Sequence, residues 1–103
     1  MMSGSIHKVW LARPTEAWYQ LSVDQQQALL AELTELGARL GGKEILFCFS
    51  GWSSEQWTYF GVEEYPNIEA VQALADAHLK MGWYRYLESM TILGTRAPDS
   101  SGG

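Results

Sequence analysis

The stretch NIEAVQALADAHLKMGWYRY (Asn67–Tyr86) decides how the chain folds, because it holds a complete helix and the connection to a last strand. Val71 and His78 are seven residues apart, so they lie on the same apolar face of that helix. Asn67 is a favourable N-cap, and Gly82 suits the left-handed conformation that often ends a helix. The stretch therefore predicts a helix with an imidazole on its apolar face, followed by an aromatic strand.

The rest of the chain predicts three further strands and one further helix. Ser22 and Gln25 form a capping-box pattern at the start of that helix, and Pro14 ends the strand before it. The apolar run ILFCF (Ile45–Phe49) is typical of a strand that is buried on both faces. Only a short turn follows this run, so the next strand must return antiparallel. The predicted elements are strands at Ser5–Ala12, Glu44–Gly51, Gln56–Glu63 and Tyr84–Arg96, and a first helix from Val23 to about Leu40.

The order β-α-β-β-α-β is that of the ferredoxin-like α+β fold, a four-stranded antiparallel sheet with two helices on one face. We expect a single domain over residues 1–96 and a disordered tail over residues 97–103. The strands carry bulky apolar side chains on both faces of the sheet, so the face without helices must also be shielded from water. A second copy of the chain would supply it, which predicts a homodimer. A monomer with a wetter second face is the alternative.

Composition excludes several classes of function. The formal net charge is −5, and the seven lysines and arginines are scattered singly. Nucleic-acid binding and an anionic membrane surface both need clustered basic residues, so neither partner is expected. No stretch approaches transmembrane length and no targeting segment is evident, which predicts a cytoplasmic protein. Cys48 is the one cysteine, so it excludes an intrachain disulfide and is expected to pack as a small buried hydrophobe.

Three stretches carry a resemblance to a known superfamily: AWYQLSVDQQQALL (Ala17–Leu30), WTYFGVEEYP (Trp57–Pro66) and GWYRYLE (Gly82–Glu88). The chain resembles the dimeric α+β barrel superfamily, and more narrowly an uncharacterised subgroup of it. The superfamily includes antibiotic-biosynthesis monooxygenases, heme-degrading monooxygenases, chlorite dismutase-like domains and stress-responsive barrel proteins. The resemblance extends from Ile6 to Arg96 and implies a site between the sheet and the helices of one subunit.

Two histidines are candidate site residues. His78 is a candidate general base near neutral pH or, as the resemblance to heme-binding relatives implies, an axial heme ligand. The alternative is a structural histidine, which the helix dipole favours near a helix C-terminus. His7 alternates with Val9 and Leu11 on the first strand and could point into the same cavity or into solvent. The other face of that strand would carry Ile6, Lys8, Trp10 and Ala12.

Aromatic side chains form a second group of candidates. Trp57 and Tyr59 share one face of the predicted third strand, and Trp10 is expected to neighbour them on the first strand. These rings could stack on a flat aromatic substrate, with the Tyr59 hydroxyl orienting it. Packing at a dimer interface requires the same residue types, so both interpretations stay open.

The run Tyr84–Tyr86 places polar groups at the start of the predicted last strand. Arg85 could hold an anionic or enolate oxygen, and either tyrosine could donate a hydrogen bond to a phenolate. The alternative is a surface ion pair of Arg85 with Glu88. No metal site is predicted, because the two histidines lack the spacing of metal ligands.

The sequence therefore predicts a homodimeric barrel that binds a small apolar or aromatic molecule and uses no cofactor. The leading activities are a cofactor-independent monooxygenase, as the resemblance implies, or an isomerase or cyclase. His78 would be the acid or base, with Tyr84 and Arg85 as a polar clamp. The substrate-binding residues would be His7, Trp10, Trp57, Tyr59 and Tyr86. The alternatives are a non-catalytic ligand-binding or stress-type barrel and a heme-binding member.

Overall fold

The fold is described by a computed structural model that covers residues 4–98. Its elements are β1 (Ile6–Pro14), α1 (Glu16–Tyr19), α2 (Val23–Arg39), β2 (Lys43–Phe49), β3 (Tyr59–Tyr65), α3 (Ile68–Met81), a 3-10 turn (Trp83–Arg85) and β4 (Leu87–Gly94). The strands form one antiparallel sheet in the order β2–β3–β1–β4, and the long helices pack on one face. This is the predicted ferredoxin-like α+β fold. Residues 99–103 of the predicted disordered tail lie outside the described residues.

Both long helices begin and end where the sequence predicts. The Ser22 hydroxyl accepts a hydrogen bond from the Gln25 backbone N–H at 3.1 Å, and the Gln25 side chain accepts one from the Ser22 backbone N–H at 2.9 Å. The Asn67 side chain accepts a hydrogen bond from the Ala70 backbone N–H at 2.9 Å. Gly82 ends α3 with a φ of 68°, a conformation that glycine adopts without steric cost. The predicted caps are confirmed.

The third strand begins at Tyr59, so its prediction from Gln56 is wrong. The Ser54 hydroxyl accepts hydrogen bonds from the backbone N–H groups of Gln56 and Trp57, at 3.2 and 2.9 Å. These bonds hold the segment as a loop, because the side chain takes donors that a strand would use in its ladder. Trp57 therefore precedes the strand, and the connection after β2 is longer than the predicted turn.

The last strand begins at Leu87 and not at Tyr84. The chain leaves α3 through a single 3-10 turn, in which the Arg85 backbone N–H donates to the Gly82 carbonyl at 3.1 Å. The run Tyr84–Tyr86 is therefore placed by a turn, and its side chains do not alternate as they would on a strand. The four-residue helix α1, in the connector after β1, was also not predicted.

Strand β2 lies at the edge of the sheet, and the prediction that it is buried on both faces is wrong for the single chain. Ile45, Phe47 and Phe49 are each more than half exposed, and Cys48 is half-buried. An edge strand has one neighbour, and the buried core lies over one end of the central strands β1 and β3, where Ile6 pairs with Tyr65. Its members are Tyr65, Ala70, Val71 and Leu74, with Ile6, Leu36 and Leu40 packed against them.

A β-bulge at Ile45 changes which side chains of β2 face the helices. Glu44 is paired with Glu63, and Leu46 is paired with Val62, so Ile45 is the extra residue. A bulge shifts the alternation of a strand by one position. As a result Glu44 faces the helices while Leu46 faces the other side of the sheet.

The sheet face away from the helices, called the open face below, is apolar. The parity predicted for β1 is confirmed, because Lys8 and Trp10 face the helices while His7 and Val9 lie on the open face. An Arg13–Glu88 ion pair lies at one end of the open face, and a His7–Glu64 contact lies at the other end. The apolar residues of the open face, from the strand register, are Val9, Leu11, Leu46, Cys48, Phe60, Val62, Met90 and Ile92. None of the described helices is long and apolar enough to cross a membrane.

Candidate functional site

A cavity of about 380 Å³ lies between the sheet and the helices α2 and α3. This is the size of pocket that takes a small organic molecule. Its helix side is formed mainly by Leu30, Leu33, Thr34, Leu74 and His78, and its end by Trp83 and Tyr84. Its sheet side is formed by side chains of all four strands, in two rows that differ in chemistry.

The first row, called the charged row below, consists of Glu44, Glu63 and Lys8. Glu63 on β3 is directly opposite Lys8 on β1 and directly opposite Glu44 on β2. A sheet face that is covered by helices is normally apolar, because desolvating a charge is costly. Two carboxylates directly opposite each other are also unfavourable. Lys8 and Glu63 are half-buried in this position, whereas Glu44, on the edge strand, is exposed to solvent. The Lys8–Glu63 pair is therefore the part of the row that packing does not explain, and it points to a functional role.

Lys8 is a cationic side chain in a partly dry environment. Burial lowers the pKa of its amine, and the attraction of Glu63 opposes that shift. Among the described residues, no carboxylate lies within 4.0 Å of the Lys8 amine, since the ion pairs found involve other residues. The ammonium is thus held near Glu63 without a direct ion pair, and it remains available to a ligand.

Glu63 is bound on its other side by Tyr65. The Tyr65 hydroxyl donates a hydrogen bond to Glu63 Oε1 at 2.8 Å. Burial, the negative charge of Glu63 and this hydrogen bond all raise the pKa of the Tyr65 phenol. Tyr65 is therefore a neutral donor across the physiological range, and it fixes the orientation of the Glu63 carboxylate.

His78 extends from α3 into the cavity wall. Burial, and then the positive charge of Lys8, lower the pKa of His78 from 6.5 to about 4. The imidazole is therefore neutral at pH 7 and can accept a proton or a hydrogen bond. Its ring meets Tyr84 edge-on, with ring centroids 6.0 Å apart.

The second row, called the aromatic row below, consists of Phe47, Gly61 and Trp10, followed by Thr91 on β4. The rings of Trp10 and Phe47 are 5.6 Å apart between centroids. The Trp10 indole lies over Gly61, where any Cβ would come within 2.6 Å of it. The Trp10 Nε1 group is buried and has no hydrogen-bond partner. Gly61 thus provides the space that keeps the Trp10 ring flat against the sheet.

The structure brings three of the sequence-predicted site residues together in the cavity, namely Trp10, His78 and Tyr84. His7 lies on the open face, so the two histidines do not share a cavity. Of the two orientations left open for His7, the structure shows the one away from the cavity, because alternation along β1 sends His7 away from Lys8 and Trp10.

The other predicted residues lie outside the cavity. Trp57 packs against the Arg13 guanidinium at 5.8 Å, because it belongs to the loop before β3. Tyr59 packs on Phe47 and Phe49 at the edge of the sheet. Arg85 lies over the Tyr86 ring at 5.8 Å. In the single chain these residues do not line the cavity, so they do not reach a substrate bound there.

Glu88 binds a different partner from the one the sequence suggested. The Arg13 Nε atom donates to Glu88 Oε1 at 3.0 Å, across the β1–β4 pair. The predicted alternative of an Arg85–Glu88 surface pair is therefore wrong. The 3-10 turn directs Arg85 away, and the strand register brings Arg13 next to Glu88.

Sequence reasoning missed several polar residues that line the cavity, among them Lys8, Glu44, Glu63 and Tyr65. The signal was available for Lys8 and Glu63, because each alternates with residues that belong on the helix-covered face. A charge at such a parity is unusual and could have been singled out. Glu44 could not be found in this way, since the bulge at Ile45 changes its parity.

The cavity residues do not fit a heme. His78 is the one imidazole that lines the cavity, and burial together with the Lys8 cation lowers its pKa, which makes it a weaker donor to iron. The adjoining floor is the charged row, whereas the flat ring of a heme needs apolar walls. In the described part of the chain, no group of three His, Cys, Asp or Glu side chains is arranged to hold a metal ion.

Fold and cavity together define the class of protein as a ferredoxin-like α+β domain with a pocket between sheet and helices. Residues 8–101 match the family of unknown function DUF6616, and the chain belongs to that family. No curated protein matches the chain in sequence.

Solved structures share this fold at low sequence identity. A chlorite dismutase from Candidatus Nitrospira defluvii is similar with a TM-score of 0.75 and 15% identity, over 100% of this chain and 45% of that chain. The same enzyme in complex with imidazole has a TM-score of 0.73 and 16% identity, again over 100% of this chain and 45% of that chain. A hypothetical Arabidopsis thaliana protein has a TM-score of 0.60 and 17% identity, over 96% of both chains. The chain thus shares its ferredoxin-like α+β fold with these structures, and it spans less than half the length of the dismutase chains.

Proposed function

We propose that this protein binds a small molecule with an aromatic or apolar body and one polar end. The observation that carries the proposal is the adjacency of the aromatic row and the charged row in one cavity of about 380 Å³. Apolar walls with a few convergent polar groups are the usual composition of a small-molecule site. The body of the ligand would lie on Trp10 and Phe47, and its polar end would lie at Lys8, Glu63 and His78.

The second part of the proposal is a homodimer in which the open face of one chain packs on that of a second copy. Support comes from the apolar character of this face and from the exposure of Leu46, Met90 and Ile92. The similar dismutase chains are more than twice as long as the matched part, which leaves room for a second domain of this size. Covering the face would also remove apolar surface from water, at about 25 cal/mol per Å².

Proton transfer is the second candidate function, and one observation favours it. His78 is a neutral imidazole at pH 7 in the same cavity as the Lys8 cation and the Tyr65–Glu63 pair. An imidazole with a pKa of about 4 is a weak base at pH 7, so proton removal by His78 requires that the Lys8 cation stabilise the negative charge that develops on the ligand. This arrangement suits an isomerase or a cyclase. The monooxygenase activity remains a prediction from resemblance alone.

Binding can be tested with 2-naphthol, which has an aromatic body and one polar group. Titration should quench tryptophan emission, because Trp10 and Trp83 line the cavity. Thr34→Phe fills the cavity from α2 and should weaken binding by at least about tenfold, or 1.4 kcal/mol. Met90→Ser changes the open face and is the matched control, which should bind like the wild type. Equal binding by the Thr34→Phe variant would contradict the proposal.

A further inference from the structure

The sequence contains three lysines, and the structure gives each a different environment. Lys80 is exposed on α3 and pairs with Asp76 at 3.0 Å. Lys43 is exposed at the rim of the cavity. Lys8 lies on β1, in the interior of the sheet, and its side chain extends into the cavity. An amine in the third environment differs chemically from an exposed one.

Three features of its surroundings make Lys8 suited to react with a ligand. The β1 backbone is paired on both sides, to β3 and to β4, so the base of the side chain is fixed. The Trp10 ring lies two residues along the same strand face, where an aromatic ligand would stack. Burial also lowers the pKa of the Lys8 amine, which increases the neutral fraction that acts as a nucleophile.

We propose that Lys8 is a nucleophilic amine that condenses with the carbonyl group of an aromatic or apolar aldehyde or ketone. This inference rests on the proposed function, because the carbonyl compound must first bind in the cavity. It names the substrate class of that site. It also explains why a cation stands on a sheet face that packing would make apolar.

The reaction balances without any oxidant or reductant. The Lys8 Nζ atom forms a bond to the carbonyl carbon as the C–O π bond breaks, and a proton moves from nitrogen to oxygen. The resulting carbinolamine then loses the oxygen as water, and the second amine hydrogen leaves with it. The products are one imine and one water molecule, and protonation gives the iminium ion.

The neighbours of Lys8 match the needs of this reaction. Glu63 lies directly opposite Lys8, where its negative charge stabilises an iminium ion. The Tyr65 hydroxyl holds Glu63 in place through its hydrogen bond of 2.8 Å. Where the carbon next to the iminium group carries a hydrogen, as in an alkyl ketone, the iminium acidifies it and the neutral His78 can take that proton. Covalent capture would thus prepare the ligand for the proton transfer considered above.

The test is reductive trapping with 2-naphthaldehyde and sodium cyanoborohydride at pH 7, followed by peptide mass spectrometry. Lys43 and Lys80 act as internal references in the same molecule, and the N-terminal amine is counted separately. The initial rate of labelling at Lys8 should exceed that at Lys43 by at least about tenfold, or 1.4 kcal/mol in the barrier. Equal labelling of the three lysines would overturn the proposal.

Variants extend this test. Lys8→Met should lose the fast adduct, whereas Lys43→Met and Lys80→Met should keep it. If Lys8→Met does not fold, the comparison of three lysines in the wild type decides the question without it. Binding of 2-naphthol separates the two proposals: saturable 2-naphthol binding with uniform lysine labelling would overturn the imine and leave the proposed function standing. Absence of both signals would overturn both.

Discussion

Lys8 and Glu63 stand directly opposite each other on β1 and β3, and both side chains face the helices. In a two-layer fold this face normally forms the hydrophobic core. Here the core is confined to one end, around Tyr65 and Leu74, and the charges line a cavity next to it. A protein that only needed stability would carry apolar side chains at both positions, because an ion pair in a dry site is often no better than its hydrophobic replacement.

The pH dependence of stability should report the environment of His78. Its pKa is 6.5 in the unfolded chain and about 4 in the folded one, so only the unfolded chain binds this proton between the two values. The free energy of unfolding should therefore fall as the pH is lowered from 6.5 towards 4. Urea unfolding across this range should show a shallower dependence in His78→Gln than in the wild type. Identical slopes would mean that His78 is not shielded from water.

Removing the charge of Lys8 should raise the pKa of His78. Burial is the larger cause of the lowered His78 pKa, and the Lys8 ammonium is the second. In Lys8→Met only the effect of burial remains. An NMR titration of the imidazole measures the change directly. Lys80→Met is the matched control, since Lys80 is exposed and paired with Asp76, and it should leave the titration unchanged. An unchanged His78 pKa in Lys8→Met would show that the two groups are not close.

Gly61 should tolerate no side chain. A Cβ there would come within 2.6 Å of the Trp10 indole, so the ring must move away from the sheet. Gly61→Ala should lower the free energy of unfolding by about 1–3 kcal/mol, as overpacking does, and should also weaken 2-naphthol binding. Thermal denaturation checks the first effect. Gly94→Ala is the control, because nothing lies within 4 Å of its Cβ position. Equal stability of the two variants would contradict the placement of Trp10.

A charge at the centre of the open face should prevent dimer formation. Val62 is flanked there by Val9 and Leu46. Val62→Lys should give a monomer mass near 11.6 kDa by light scattering, whereas the wild type should give twice that mass. Leu79→Lys adds the same charge at an exposed position on α3 and should remain a dimer. A wild-type mass near that of the monomer would contradict the proposed homodimer.

The fold was predictable because its signals are local. Ser22 and Asn67 are caps that act within three residues, and Gly82 ends a helix by its own backbone freedom. Alternation along β1 also correctly divided Lys8 and Trp10 from His7. The errors arose where a side chain competes with the backbone, as Ser54 does before β3, or where a 3-10 turn replaces the start of a strand.

The site was less predictable, because it depends on which strands become neighbours. Trp10, His78 and Tyr84 were found from their residue types, and the structure places all three in the cavity. Alternation alone places Lys8 and Glu63 on the helix-covered face, but only the strand register shows that they are directly opposite each other. Glu44 depends further on the bulge at Ile45, which the sequence does not signal. Cross-strand register is a long-range property, and it decides the chemistry of this cavity.

The most direct test of the central claim is to locate bound 2-naphthol on the protein by NMR. Isotope-edited NOE measurements detect which side-chain protons lie near the protons of the ligand. Binding in the cavity predicts NOEs from the naphthyl protons to the Trp10 indole and to the His78 ring. NOEs to Met90 and Ile92 on the open face, with none to Trp10 or His78, would contradict the claim that the cavity is the binding site.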